Sequence, residues 1–255
     1  MKKLIKYVVL DILRNKIVIG YTLFLLLISL SVFNLEDNSS KGLLSLLNIV
    51  LIIVPLLSII FATIYVYNSD KFIELLVSQP VKRTTLICSI YTGLTASLMV
   101  AVFAGIGLPV LLYDRSEAGV MLLVAALILT AVFVALAILA SVITRDKAKG
   151  IGVSILLWFY FAIIFDGLVL FIIFQFSEYP LEKTSITLTA LNPIDLSRIL
   201  VLLKMDISAM MGYTGAVFKE FFEGFTGYLF ICVIMLAWMF LPIFAAVKKF
   251  NKMDL

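Results

Sequence analysis

The sequence predicts an all-α polytopic membrane protein, and three observations lead there. Hydrophobic residues make up 63% of the 255-residue chain and charged residues only 14%, whereas soluble domains run near half and a quarter. The apolar residues fall in continuous runs of about 18 or more, long enough to cross a bilayer as helices. These runs lack the period-2 alternation of a membrane β-barrel.

The first element is Met1–Lys16, MKKLIKYVVLDILRNK. Leu4, Ile5, Val8, Val9 and Ile12 share one helical face, while Lys2, Lys3, Lys6 and Arg14 lie largely on the other. That segregation predicts an interfacial helix along anionic headgroups, favoured over a plain basic flank to the first span. A cleaved signal peptide is not expected, because the following run is span-length and no small-residue cleavage site closes it.

Six spans follow, at roughly 17–33, 43–67, 86–113, 118–143, 151–175 and 228–247, each sufficient for a hydrocarbon core of about 30 Å. With both termini cytoplasmic, 14 of the 20 basic residues fall inside, leaving Lys41, Arg115, Lys183, Arg198, Lys204 and Lys219 outside. The positive-inside rule therefore selects that orientation. The only long connection, 176–227, is then extracytoplasmic, and the whole of 1–255 forms a single transmembrane domain. Pro55, Gly105, Gly107, Pro109 and Pro242 lie within spans; they mark bends, or simply reflect how common Gly and Pro are in membrane helices.

Between spans 2 and 3 lies a cytoplasmic loop, 68–85, NSDKFIELLVSQPVKRTT. It predicts a short amphipathic helix over Asp70–Val77, stopped at Ser78-Gln79-Pro80 because Pro lacks an N–H and biases Gln79 away from the α region. A compact polar helix in so lipophilic a chain must face something in water, and a soluble motor protein is the expected contact. Phe72, Ile73, Leu75 and Leu76 supply apolar anchors for docking in a groove, with Glu74, Lys82 and Arg83 setting polar register beside Asp70.

Asp166 is the one acidic residue well inside a predicted span. An intramembrane carboxylate is costly, and structural pairing is expected ahead of substrate or proton handling. In the outer segment, Leu191–Lys204 predicts a short amphipathic helix begun at Asn192-Pro193, where Asn caps and Pro suits the first turn. Gly212 and Gly215 bracket a flexible piece before a second short helix over Ala216–Phe222. Docking of the pair at the outer interface is expected, with re-entry into the membrane the other arrangement open to it. Met205, Met210 and Met211 are expected to fill apolar contacts, as no His or Cys accompanies them for Cu(I).

Composition excludes several chemistries. The chain has no histidine and two cysteines, Cys88 and Cys232, predicted at opposite membrane faces. A disulfide between them is geometrically excluded, and no zinc or iron–sulfur ligand set exists. No nucleotide-binding glycine motif is present. An intramembrane enzyme lacks its side chains, and an ion-driven transporter lacks its inverted repeats and buried charges.

These stretches carry a resemblance. ELLVSQPVKR at Glu74–Arg83, together with the interfacial helix, six spans and long outer loop, resembles a permease subunit of the ABC-2-type transporters across the whole chain. Narrower likeness to the NosY family, membrane subunits of NosDFY systems, rests on four stretches. They are FDG at Phe165–Gly167, LNPIDLSRIL at Leu191–Leu200, MGYTGAVFKEFF at Met211–Phe222, and the run from Trp238 to the C-terminus. The resemblance implies a non-catalytic, multi-pass subunit of the bacterial cytoplasmic (inner) membrane, paired with a second copy of itself. It implies a separate cytoplasmic ABC ATPase (NosF-like) that holds ATP and Mg, and an extracytoplasmic NosD-like protein. It associates the system with copper-site maturation of nitrous-oxide reductase. No cofactor or metal is expected in this chain. The outer partner, or a gate, is expected at Asn192, Asp195, Arg198, Gly212, Tyr213 and Gly215. A generic ABC-2 exporter permease for a lipid, drug or polysaccharide, or a structural anchor for a partner complex, is the alternative.

Overall fold

The computed structural model describes residues 2–36, 38–78, 82–144, 146–176, 182–205 and 225–252, and helices are the only regular structure among them. In chain order these are α1 (Lys2–Leu13), α2 (Lys16–Leu35), α3 (Ser39–Asn68), α4 (Asp70–Val77) and α5 (Arg83–Tyr113). Then come α6 (Glu117–Ile143), α7 (Lys147–Gln175), α8 (Glu182–Ala190), α9 (Pro193–Leu202) and α10 (Phe225–Asn251). Among the described residues six helices are long and apolar enough to cross a membrane: α2, α3, α5, α6, α7 and α10. They match the six expected spans, and the chain is a multi-pass membrane protein.

Helix starts follow local chemistry. The side chains of Asn15, Asn38, Ser116 and Asp146 accept from the backbone N–H groups of Ile17, Ser40, Gly119 and Lys149, capping α2, α3, α6 and α7. Each replaces an intrahelical partner that the first turn lacks.

The bundle is built around α6. About four-fifths of its apolar window (78%) is buried inside the chain, against 11% for α7. Small residues make this possible: Ala126, Ala135 and Ala137 are fully buried and let neighbouring backbones approach. The amphipathic α1 turns its apolar face onto α5. Val8 and Ile12 are buried, and a Cβ added at Gly93 of α5 would clash with the Val8 side chain.

Of the marked Gly and Pro positions, one group changes the helix. Residues Phe103–Gly107 of α5 adopt a π turn immediately before Leu108-Pro109. Pro109 cannot donate to the helical ladder, so the regular register is already interrupted there. The widened turn seats Gly105 against α2, where an added Cβ would meet Leu25 and the Thr22 carbonyl. Pro55 and Pro242 lie inside continuous helices. A second π turn, Tyr160–Ile164 in α7, has no sequence marker.

Candidate functional site

Two constellations bring together the residues singled out from sequence, one near the α3–α5 loop and one where α9 meets α7 and α10. At the first, α4 spans Asp70–Val77 as expected, with Asp70 in its first turn, where a carboxylate suits the positive end of the helix. Its apolar residues divide between two tasks. Ile73 is only 5% exposed and belongs to the chain's own core, so it seats the helix and is closed to a partner. Phe72 stacks on Tyr7 of α1, ring centroids 5.5 Å apart, and Leu76 packs against the core. That leaves Leu75, 66% exposed, with exposed Glu74, Lys71 and Asp70 around it. Of the four apolar residues expected as anchors, Leu75 is the exposed one.

The loop is tied to the surrounding helix ends. Tyr65 at the end of α3 donates to the Asp11 carboxylate of α1 at 3.2 Å. Tyr67 donates to the Thr144 carbonyl at 2.6 Å, at the end of α6, and Lys147 donates to the Asn68 side chain at 2.8 Å. Close packing of α3 on α7 supports this clamp: Gly150 lies against the Tyr67 ring, leaving no space for a Cβ, and the buried hydroxyls of Thr63 and Ser154 are hydrogen-bonded at 2.7 Å. Lys82 is exposed. Arg83, expected from sequence in the motor's polar register, donates to the Phe250 and Asn251 carbonyls at the end of α10, at 3.4 and 3.5 Å. Those carbonyls have no intrahelical partner and carry the negative end of the helix dipole, so a guanidinium is a natural cap.

On the far side, α8 and α9 form a helical hairpin. Asn192 caps α9 by accepting from the Ile194 N–H at 3.0 Å, as the sequence predicts. Its amide also donates to the Phe161 carbonyl, 2.9 Å away in the π turn of α7. Just before it, Ala190 accepts from the Trp238 indole of α10 at 3.2 Å. Phe161 and Trp238 are the middle residues of α7 and α10, so the hairpin turn reaches mid-membrane depth. From there α9 climbs away from the middle of the bundle, and Lys204 just beyond its end meets Glu117 at the start of α6, 2.7 Å apart. The ten residues of α9 rise about 15 Å, enough to cross one leaflet's share of a core of about 30 Å. The hairpin packs as a re-entrant element, with the Ala190 carbonyl of its turn satisfied by the Trp238 indole as such depth requires. A helix that the sequence reading did not place, α8, precedes α9; the second helix expected there, Ala216–Phe222, lies outside the described residues, as do Gly212, Tyr213 and Gly215.

The charges gather along this climb. Arg198 donates to one Asp166 oxygen through both terminal nitrogens, at 3.1 Å each, and to Asp195 at 3.1 Å. Asn192 donates to the other Asp195 oxygen at 3.0 Å. Asp166 therefore has the pairing partner expected of an intramembrane carboxylate. Two carboxylates share one guanidinium, a net negative charge when both are ionised. Among the described residues no His, Cys, Asp and Glu grouping could hold a metal ion, and Cys88 and Cys232 are free thiols.

Sequence comparison agrees with this architecture. The profile of the ABC-2 family transporter proteins matches residues 29–255. The chain belongs to that family. It is also 27% identical over 223 residues to a Pseudomonas aeruginosa PAO1 protein described as a probable ABC transporter permease protein NosY, covering 79% of this chain and 81% of that one. An ABC-2 permease with this geometry has its conspicuous polar groups at two stations, the α4 loop and the re-entrant hairpin. Sequence reasoning missed the residues that fix each station in place: Tyr7, Asp11, Tyr65 and Tyr67 on one side, Phe161 and Trp238 on the other. The paired tyrosines closing an apolar run were a usable signal, since span-end aromatics sit where polar partners are at hand. Nothing local marks Phe161, whose backbone carbonyl is the group in use.

Proposed function

We propose that this ABC-2 chain is the membrane permease subunit through which a separate cytoplasmic ABC ATPase drives work at the re-entrant hairpin. The observation that carries the reading is the division of α4. Ile73, Phe72 and Leu76 hold the helix on the chain, while Leu75 and Glu74 remain exposed on its outer face. An apolar anchor flanked by charge on a firmly seated helix suits a groove in a soluble partner. ATP and Mg belong to that partner. Work at the hairpin is transport, or a change of shape imposed on an extracytoplasmic protein. A second copy of the chain completes the unit, supported by the largely uncovered α7. Both termini lie in the cytoplasm of a bacterial cell, in line with the charge asymmetry.

The finer assignment follows the likeness to the Pseudomonas NosY protein and the stretches at Leu191–Leu200 and Met211–Phe222. In that assignment the ATPase is NosF-like, the outer partner NosD-like, and the task is copper-site maturation of nitrous-oxide reductase. The test is co-purification with the ATPase and the copper content of the reductase produced alongside. Leu75→Ala and Glu74→Ala are expected to weaken ATPase retention and leave the reductase copper-deficient. Full retention and full copper loading in both variants would overturn the reading. ATPase dependence without any effect on reductase copper would favour a generic ABC-2 exporter.

A further inference from the structure

Both stations touch the same helix. Arg83, the first residue of α5 after the coupling loop, donates to the terminal carbonyls of α10 at Phe250 and Asn251. Halfway along α10, the Trp238 indole donates to Ala190 in the hairpin turn, and its ring meets Phe161 edge-on with centroids 5.2 Å apart. Asn192, two residues beyond Ala190, binds the carbonyl of that same Phe161 and holds Asp195 of the charge cluster. We propose that α10 is the lever that carries movement of the coupling loop to the re-entrant hairpin, with Arg83 positioning its cytoplasmic end and Trp238 its grip on the turn. The proposal rests on the reading of α4 as the ATPase contact.

Three features favour this route over the others. The loop is also clamped to α6 and α7 through Tyr67 and Lys147, but α6 is the most enclosed span in the bundle, and moving it means disturbing every packed neighbour. By contrast, only 28% of the α10 window is buried, and Val233, Leu236, Phe240, Leu241 and Phe244 are exposed along it. It is free to tilt on that side. Second, Pro242 has no N–H, so the Trp238 carbonyl lacks its i→i−4 donor, and the helix is softest one turn from the residue that holds the hairpin. A displacement at Phe250 and Asn251 is therefore delivered as a change of angle at Trp238. Third, the receiving end is itself poised to respond. The Ala190 carbonyl lies at mid-membrane depth, where a backbone acceptor that loses its donor finds no water. The turn must then follow the indole or give up a buried hydrogen bond.

The experiment uses the complete complex with its ABC ATPase in lipid nanodiscs. A nitroxide is attached to Leu191→Cys, in the hairpin turn, in a Cys88→Ser and Cys232→Ser background. Magnetic resonance spectra are recorded without nucleotide and with ATP, Mg and vanadate. The expected result is a nucleotide-dependent spectral change in the background complex. Trp238→Phe, which keeps an aromatic ring at that position and removes the indole donor, is expected to lose that change while the complex goes on hydrolysing ATP. Arg83→Gln is expected to do the same, and Arg83→Lys, which restores a cation at the helix end, to recover it. Should Arg83→Gln fail to assemble, Trp238→Phe decides alone. A hydrolysing complex whose hairpin ignores nucleotide, or one whose response survives in Trp238→Phe, overturns the lever and leaves the functional reading standing. A chain that retains no ATPase overturns both.

Discussion

Asp195 shows how single residues set the state of the outer hairpin. It shares Arg198 with Asp166, and Glu117 and Lys204 at the end of the climb neutralise one another. One carboxylate oxygen of Asp195 accepts from Arg198 and the other from Asn192. Asp195→Ala leaves both donors without that acceptor and is expected to cost about 1–3 kcal/mol, read as a lowered thermal midpoint of the chain in nanodiscs; an unchanged midpoint would refute its role in holding the hairpin. At the opposite face, Gly150 is set by contact with the Tyr67 ring. Gly150→Ala pushes α7 off α3 and strains the Tyr67–Thr144 bond. The expected loss is about 1–3 kcal/mol, the usual range for overpacking, read as a lowered thermal midpoint. A midpoint equal to that of the unaltered chain would show that the clamp has slack.

At the scale of the element, α4 has an inner and an outer face whose substitutions separate cleanly. Ile73→Ala removes a buried side chain and is expected to cost about 2–5 kcal/mol of stability in the isolated chain, read by thermal unfolding without the ATPase. Leu75→Ala removes an exposed one and is expected to leave that midpoint unchanged while weakening ATPase retention. If both variants behaved alike, the two faces would not be distinct. Sequence periodicity located α4 itself because Ser69, Asp70 and the Ser78-Gln79-Pro80 stop are local signals. It did not divide the faces, since inward and outward anchors of an eight-residue helix look alike until α1 and α3 are in place. The Asn192 cap was legible for the same local reason. Its depth was not, because depth depends on a tryptophan 46 positions later binding a backbone carbonyl. Asp166 was legible as a charge needing a partner, yet Arg198 was one of several outer cations, and choosing it requires the climb of α9. Likewise the π turn at Phe103–Gly107 had Pro109 to announce it, while the one at Tyr160–Ile164 had only its packing.

At the scale of the molecule, burial is very unequal: α6 is enclosed and α7 is nearly bare. A bare span is no anomaly in lipid, where apolar exposure costs nothing. What sets α7 apart is its pattern. Leu156, Tyr160, Ile163, Leu170 and Phe174 are exposed at intervals of three and four, with Gly167 in the same stripe and open space where its side chain would be. Large residues around one glycine are an arrangement that admits a second helix at close range, because helices in a membrane associate through close packing. The twin subunit of the proposed complex fits that stripe. It also brings two hairpins together, since each is tied to its own α7 through Asn192 and Arg198. In the cysteine-free background, Leu170→Cys is expected to cross-link to its own counterpart in native membranes. Adding Gly167→Ile, which fills the close-approach point, is expected to abolish that cross-link while the chain remains folded. A cross-link that persists undiminished with isoleucine at that position would mean that the copies meet elsewhere, and that α7 faces lipid alone.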